Sequence, residues 1–237
     1  MIRVCDFSKA YKSSFQISGI NFSVEPGKIT ALVGANGSGK TTLIKAICGF
    51  HYADSGKILL SREDASSEVD ITQKTEMAMS LTGYVPEVSN LPPELKVYDF
   101  LKYAAKTHGL SDEAVEKALE DVIKKCNLGE VSSKKIKTLS KGFRQRVSLA
   151  QALIFNPPNL ILDEPITGLD PLQIVELRKD LKELSKTKSI LISTHILQEV
   201  EELCDNVVVI KNGKQIAFGS EKEILEKNGA KSLEELI

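Results

Sequence analysis

Cysteine is sparse in this chain. Cys5, Cys48, Cys126 and Cys204 are scattered through 237 residues, and no two stand at the spacing of a metal site or a redox pair. A reducing cytosol suits that pattern. An excess of one charge is also lacking. The formal net charge is −1, so the total carries no electrostatic footprint for nucleic acid. Basic runs such as Lys134-Lys135-Ile136-Lys137 read as solvated surface. Long apolar runs are missing too. Asn159-Leu160-Ile161-Leu162 is typical, and strand-length; a membrane-spanning helix needs roughly 18 residues. Met1 to Asp6 reads as the start of a strand rather than as a signal peptide. Internal repeats and low-complexity segments do not occur. The length suits one large domain, or one domain with a subdomain.

What is present is a glycine loop in a specific setting. Residues Gly34-Ala35-Asn36-Gly37-Ser38-Gly39-Lys40-Thr41 satisfy G-x-x-x-x-G-K-S/T at every fixed position. Glycines let the backbone turn tightly and aim its N–H groups inward. Those groups, with the positive end of the following helix, attract a polyphosphate. Lys40 adds a point charge for the β- and γ-phosphates, and the Thr41 hydroxyl is a ligand for Mg²⁺. The setting matches the mechanism. Ile29 to Val33 reads as a buried strand; Leu43, Ile44 and Ile47 follow at helical spacing, and Gly49 can end that helix.

The remaining chain divides by pattern. Residues 1 to 34 alternate strands with turns, including Phe15 to Val24 and the Pro26-Gly27 turn, and Lys57 to Leu60 is another strand. Residues 61 to 76 read as an irregular surface loop. From 91 to 156 no convincing strand interrupts two helical faces, Val97-Leu101-Ala104 and Val115-Leu119-Val122-Ile123, so this stretch reads as a helical insertion. Strands return at Leu160 to Asp163, Ser189 to Ser193 and Val207 to Ile210. A helix over about Leu172 to Ser185 implies parallel pairing of the first two. Asn212-Gly213 is a hairpin turn, and 221 to 237 a charged helical tail.

Other residues carry chemistry. Asp163 and Glu164 close an apolar strand at its C-terminal end, where ligands sit in open α/β sheets. Asp163 can hold Mg²⁺ through water, and Glu164 can polarise an attacking water. Ser140 reads as the N-cap of a helix carrying Val147, Ala150 and Leu153. The same serine, with Gly142, can form a second phosphate-binding device or simply start a helix. His195 follows a strand and says little alone. Tyr11 is either a surface aromatic or a stacking face for a base.

These residues, in this order, resemble the ATPase subunit of ATP-binding cassette (ABC) transporters over about residues 1 to 220. Gly34 to Thr42 is similar to the Walker A loop, and Leu160 to Glu164 to Walker B with its following glutamate. Leu139 to Gln145, reading LSKGFRQ, resembles the family signature L-S-G-G-Q. Gly168-Leu169-Asp170 resembles the D-loop, His195 the switch histidine, and Tyr11 the adenine-stacking aromatic. The resemblance implies an α/β P-loop NTPase core, a mostly parallel sheet with an antiparallel β subdomain, over 1–86 and 157–220. The helical subdomain is then 87–156. It implies ATP as substrate with Mg²⁺, held by Tyr11, Gly34 to Thr42, Asp163 and Glu87, with Glu164, His195 and Lys40 catalytic. Ser140, Lys141, Gly142 and Asp170 would meet the ATP of a second ATPase subunit. A separate transmembrane permease would be the other partner, holding the chain on the inner face of the cell membrane with no nucleic acid involved.

The sequence departs from the family pattern at two places. Glu87 stands where the Q-loop usually has glutamine, adding a negative charge while keeping an oxygen ligand. Lys141 and Phe143 replace glycine and glutamine in the signature, while Ser140 and Gly142 remain. Glu87 together with an S-K-G signature most resembles the exporter branch, whose permease has six spans. ABC-type ATPases acting off the membrane form the alternative. Chromosome-maintenance and repair ATPases insert long coiled-coil arms before the signature, and the interval from Lys40 to Leu139 holds no heptad run. Translation factors join two cassettes in one chain, and one is present here. An inactive nucleotide-binding module is disfavoured by retention of every catalytic position but Glu87.

Overall fold

The computed structural model describes residues 1–11, 16–62 and 67–237. The strands are β1 (Ile2–Ala10), β2 (Gln16–Val24), β3 (Ile29–Val33), β4 (Ser55–Leu60), β5 (Val69–Asp70), β6 (Thr82–Val85), β7 (Asn159–Asp163), β8 (Ser189–Thr194), β9 (Asn206–Lys211) and β10 (Lys214–Gly219). The helices are α1 (Lys40–Ile47), α2 (Thr75–Met79), α3 (Val97–Thr107), α4 (Asp112–Lys125), α5 (Lys141–Leu153), α6 (Pro171–Ser185), α7 (Leu197–Leu203) and α8 (Glu221–Asn228). The strands form one mixed sheet in the order β5-β4-β1-β2-β10-β9-β3-β8-β7-β6.

Strands β9, β3, β8, β7 and β6 pair in parallel. β3, β7 and β8 are buried at every position, as parallel strands covered on both faces must be. Their alternate side chains feed two cores. Leu160, Leu162, Ile190, Ile192, Val207 and Val209 face the core shared with the helical region. Ile161, Leu191, Val208 and Ile210 face a second core with α1 and the antiparallel strands. Strands β5, β4, β1 and β2 pair antiparallel. Asn212 and Gly213 turn β9 into β10 with φ of 50° and 74°, the two positive values a tight hairpin requires.

The two halves of the sheet meet at a thin seam. Between β2 and β10 the register holds a single parallel pair, Lys214 with Ser18. The Ser18 amide donates to Gly213 O at 2.8 Å. Beyond it the Gln215 carboxamide takes over: its Oε1 accepts from the Asn21 amide at 2.8 Å and its Nε2 donates to Asn21 O at 2.7 Å. Phe22 and Phe218 lie alongside, their ring centroids 6.2 Å apart.

One sequence reading is corrected. Residues 61–76 are not one loop, since β5 pairs with β4 and Thr75 starts α2; residues 63–66 lie outside the described residues. Phe15, read as the start of β2, also lies outside them. The segment 221–237, read as a charged helical tail, holds α8 and packs on the core. Ile224 and Leu233 are 1% and 2% exposed and join the main core. Between 91 and 156 the elements are α3, α4 and α5, with short 3-10 turns and an isolated bridge from Lys96 to Lys135.

Candidate functional site

Lys40 begins α1 at the C-terminal edge of the parallel strands. The helix start is left open: the N-cap Gly39, at φ +116°, offers no side chain, and the first turn holds no acidic residue. Its first N–H groups therefore point at the space in front, where the helix dipole favours an anion. Gly34 is required by close approach, since a Cβ there would lie 2.2 Å from Ile210 O. Lys40 Nζ lies inside the loop, donating to Gly34 O at 2.7 Å and Ala35 O at 3.4 Å. Ser38 is buried, and its Oγ has no hydrogen-bond partner among the described residues.

A cavity of about 350 Å³ lies before this loop, lined by Asn36, Gly37, Gly39, Lys40, Thr41, Thr42, Glu87, Glu164 and His195. The far wall is built by strand register. Asp163 pairs with Ser193 across β7 and β8. Ser193 Oγ donates to Asp163 Oδ1 at 2.5 Å and accepts from the Glu164 amide at 2.9 Å. Glu164 has φ +47°, a conformation that L-residues seldom adopt outside functional turns. Its Oε2 lies 2.8 Å from His195 Nδ1. Asp163 is 4% exposed. Its negative charge adds to burial in pushing the neighbouring Cys48 thiol and Tyr84 phenol up. Among the described residues no three His, Cys, Asp or Glu side chains gather as a metal site. Thr41, Asp163 and Glu87 are hard oxygen donors, few in number. That set suits Mg²⁺, which keeps several waters and shares its shell with phosphates.

The structure brings Lys40, Thr41, Thr42, Glu87, Glu164 and His195 around one cavity and leaves other predicted residues apart. Tyr11 is not among the lining residues. It is 41% exposed, its hydroxyl is 3.1 Å from His51 Nε2, and the two rings meet edge to face. Burial, then the charges of Lys9 and Lys45, lower the His51 imidazole from its ordinary value. Ser140 caps α5, accepting from the Phe143 amide at 3.3 Å. Asp170 caps α6 in a capping box with Gln173, whose amide donates to Asp170 Oδ1 at 3.0 Å. These two helix starts touch: a Cβ on Gly142 would lie 2.6 Å from the Gln173 carboxamide. Lys141 Nζ rests on Gly168, where a Cβ would meet it at 2.0 Å.

Sequence reasoning missed His51 and a second feature, the ion cluster of Arg178 on α6 with Glu199 and Glu202 on α7. Arg178 and Glu199 lie 21 residues apart on different helices, so no local spacing signalled their contact. A groove of about 740 Å³ between core and helical region was not legible. It is lined by Phe50, Met79, Tyr84, His108 and Phe155 among others, and the His108 and Phe155 rings stack with centroids 3.8 Å apart.

Comparison with known proteins identifies the family. A family model described as ABC transporter matches residues 17–167. The chain is 35% identical over 219 residues to the Nod factor export ATP-binding protein I of Burkholderia orbicola (strain AU 1054), covering 92% of this chain and 70% of that protein. A solved ATP-binding subunit of an ABC transporter superposes with a TM-score of 0.86 at 33% identity, covering 100% of this chain and 97% of that one. CbiO1 from Clostridium perfringens, part of the ABC transporter complex CbiONQ, gives 0.83 at 31% identity, over 96% and 91% of the two chains. With the fold, the motif order and these identities in agreement, the chain belongs to the ATP-binding family of ABC transporters, whose members are ATPases.

Proposed function

We propose that this chain binds and hydrolyses ATP in the cavity before the phosphate loop and uses the energy to drive export through a separate membrane permease. The observation that carries the reading is the facing of two walls: Lys40 and the open start of α1 on one side, the Glu164–His195 pair at 2.8 Å on the other. The polyphosphate would lie along the loop amides, with Lys40 Nζ on the β- and γ-oxygens and Ser38 Oγ gaining a partner. Mg²⁺, held by Thr41, Asp163 and Glu87, would neutralise charge on the phosphates. Glu164 would orient and polarise the attacking water, and His195 would steady Glu164 and contact the γ-phosphate. Tyr11 would stack on the base.

Ser140, Lys141, Gly142 and Asp170 lie on touching helix starts outside the cavity. In this reading they close over the ATP of a second ATPase subunit, so two ATPs are sandwiched between two copies or relatives. Export is favoured by the 35% identity to a protein named for Nod factor export. Among the described residues no helix is long and apolar enough to cross a membrane, so the permease is a different chain or segment. The aromatic groove at the junction of core and helical region supports that region as the docking face. The core over 1–86 and 157–220 and the helical part over 87–156 are then the catalytic and coupling units.

The test is Lys40→Ala. One charge pair near 4 Å is worth up to ~4 kcal/mol at an effective dielectric of 20. Calorimetry should show ATP affinity reduced by about two decades or more, with no measurable phosphate release. Wild-type affinity in the variant would overturn the reading.

A further inference from the structure

His195 hangs between two anchors. Upstream, β8 is locked by register, with Ser193 bonded to both Asp163 and the Glu164 amide. Downstream lies α7, a helix of only seven residues with no side-chain cap at its start. Val200 and Leu203 seat it in the core, which fixes its depth but not its rotation or slide, because apolar contact is not directional. The Asp205 amide donates to Ile29 O at 2.8 Å just past the end of the helix, and the directional side-chain contacts from the helix itself go to Arg178 on α6. Arg178 Nε donates to Glu199 Oε2 at 2.8 Å, Nη2 donates to Glu199 Oε1, and Nη1 donates to Glu202 Oε2. Glu199 is 3% exposed. A bidentate guanidinium–carboxylate pair shielded from water is both strong and geometrically strict.

The two bolted helices are the continuations of the two reacting segments. Helix α6 follows the turn Glu164 to Asp170, and α7 follows His195 after one residue. The bond therefore closes a loop whose other end is the 2.8 Å contact of His195 Nδ1 with Glu164 Oε2. His195 has a half-exposed side chain, so its place depends on how the backbone on either side is held.

We propose that Arg178 is a positioning residue for ATP hydrolysis: through Glu199 it sets α7, and through α7 it holds His195 against Glu164. This rests on the reading of Glu164 and His195 as the hydrolytic pair. Misplacement of a reacting group by about 1 Å can lower a rate by about 100-fold, so loss of the bidentate bond should act on kcat and spare the ATP contacts of the phosphate loop.

The experiment measures steady-state ATPase for Arg178→Lys, in the otherwise wild-type chain and in the His195→Ala chain. Lysine keeps the charge beside Glu199 and gives up the fork. Should Arg178→Lys melt below the assay temperature, the pair Arg178→Met with Glu199→Leu replaces the ion pair by apolar side chains that pack without one. The expected result is a fall in kcat of about 10- to 100-fold with KM for ATP within about two-fold, and no further fall when His195 is already alanine. No loss in the wild-type background overturns the proposal. Equal losses in both backgrounds overturn it too, since the effect is then general and does not pass through His195. If His195→Ala itself leaves kcat unchanged, the hydrolytic reading fails first and the clamp falls with it.

Discussion

Replacing Glu164 separates chemistry from backbone strain. Its φ is +47°, a left-handed conformation that costs a residue bearing a Cβ roughly 1–2 kcal/mol. Ser193 holds it there, accepting from its amide through O at 3.2 Å and Oγ at 2.9 Å. The carboxylate meets His195 Nδ1 at 2.8 Å. Glu164→Gln keeps the backbone, the chain length and an oxygen facing His195. It removes the negative charge and the basicity. Stability in urea should change by less than about 0.5 kcal/mol, and ATP affinity should stay within about two-fold. Turnover should fall by about 10²–10⁴, or ~3–5 kcal/mol of barrier. Glu164→Gly removes the carboxylate and the strain together. Relief of ~1–2 kcal/mol is offset by ~0.5–1 kcal/mol of added chain entropy. The glycine variant should thus match wild-type stability or exceed it by up to ~1.5 kcal/mol, and be as inactive as the glutamine variant. Phosphate release, calorimetry with ATP and urea unfolding measure the three quantities. Turnover of the Gln variant within about three-fold of wild type would remove Glu164 from the chemistry. A glycine variant destabilised by more than ~1 kcal/mol would refute the strain account.

Three further outcomes follow from the same geometry. Gly142→Ala places a Cβ 2.6 Å from Gln173, displacing the amide that completes the Asp170 capping box. Helix propensity gains ~1 kcal/mol and the cap loses about as much, so the melting point should move by less than about 4 °C while ATPase falls about ten-fold; unchanged ATPase would remove this surface from the reaction. Glu87→Ala should leave ATP affinity nearly unchanged, lower ATPase and abolish stimulation by reconstituted permease, whereas Glu87→Gln should be tolerated because it keeps an oxygen ligand; wild-type stimulation in the alanine variant would make the loop a linker. Lys188 is buried with its Nζ donating to Asn156 Oδ1 at 2.8 Å and Pro157 O at 2.6 Å, and burial lowers its pKa to about 8 from 10.5. The unfolded chain therefore holds more protons between those two values, and this group's penalty on the folded state is full below pH 8 and relieved as pH rises toward 10.5. Measured by chemical denaturation, wild type should gain stability relative to Lys188→Met across that window, and a flat difference would show that the amine is not held in its charged form at a cost.

The phosphate loop, the acidic strand end and the helical region were legible because each carries a local signal. A fixed glycine pattern demands one backbone, β7 is a short apolar run ending in an acid, and α3 shows its period within a few residues. The features that escaped are made by contacts distant in sequence, or by elements too short for a period. Strand β5 is two residues long and exists through pairing with Leu59 and Leu60. Helix α2 has five residues and buries only Ala78. Ile224 and Leu233 lie too far apart to form a helical stripe, so their burial depended on a neighbour the sequence does not name. Gln215 reads as a surface amide until Asn21 is placed beside it. Tyr11 could be read as aromatic and exposed, but its partner His51 lies beyond α1.

The seam between β2 and β10 gives the sheet an unusual joint. A backbone ladder passes twist rigidly from strand to strand, because each carbonyl fixes the pitch of its neighbour. At this seam one glutamine carboxamide, on rotatable bonds, stands where further ladder pairs would be. Amide exchange at Asn21 faster than at the flanking strand centres would register the looser ladder there. Phe22 at this joint belongs to the second core, which also takes Val208 and Ile210 from β9, so apolar packing bonds the two halves where the backbone ladder thins, as glue bonds a lapped joint.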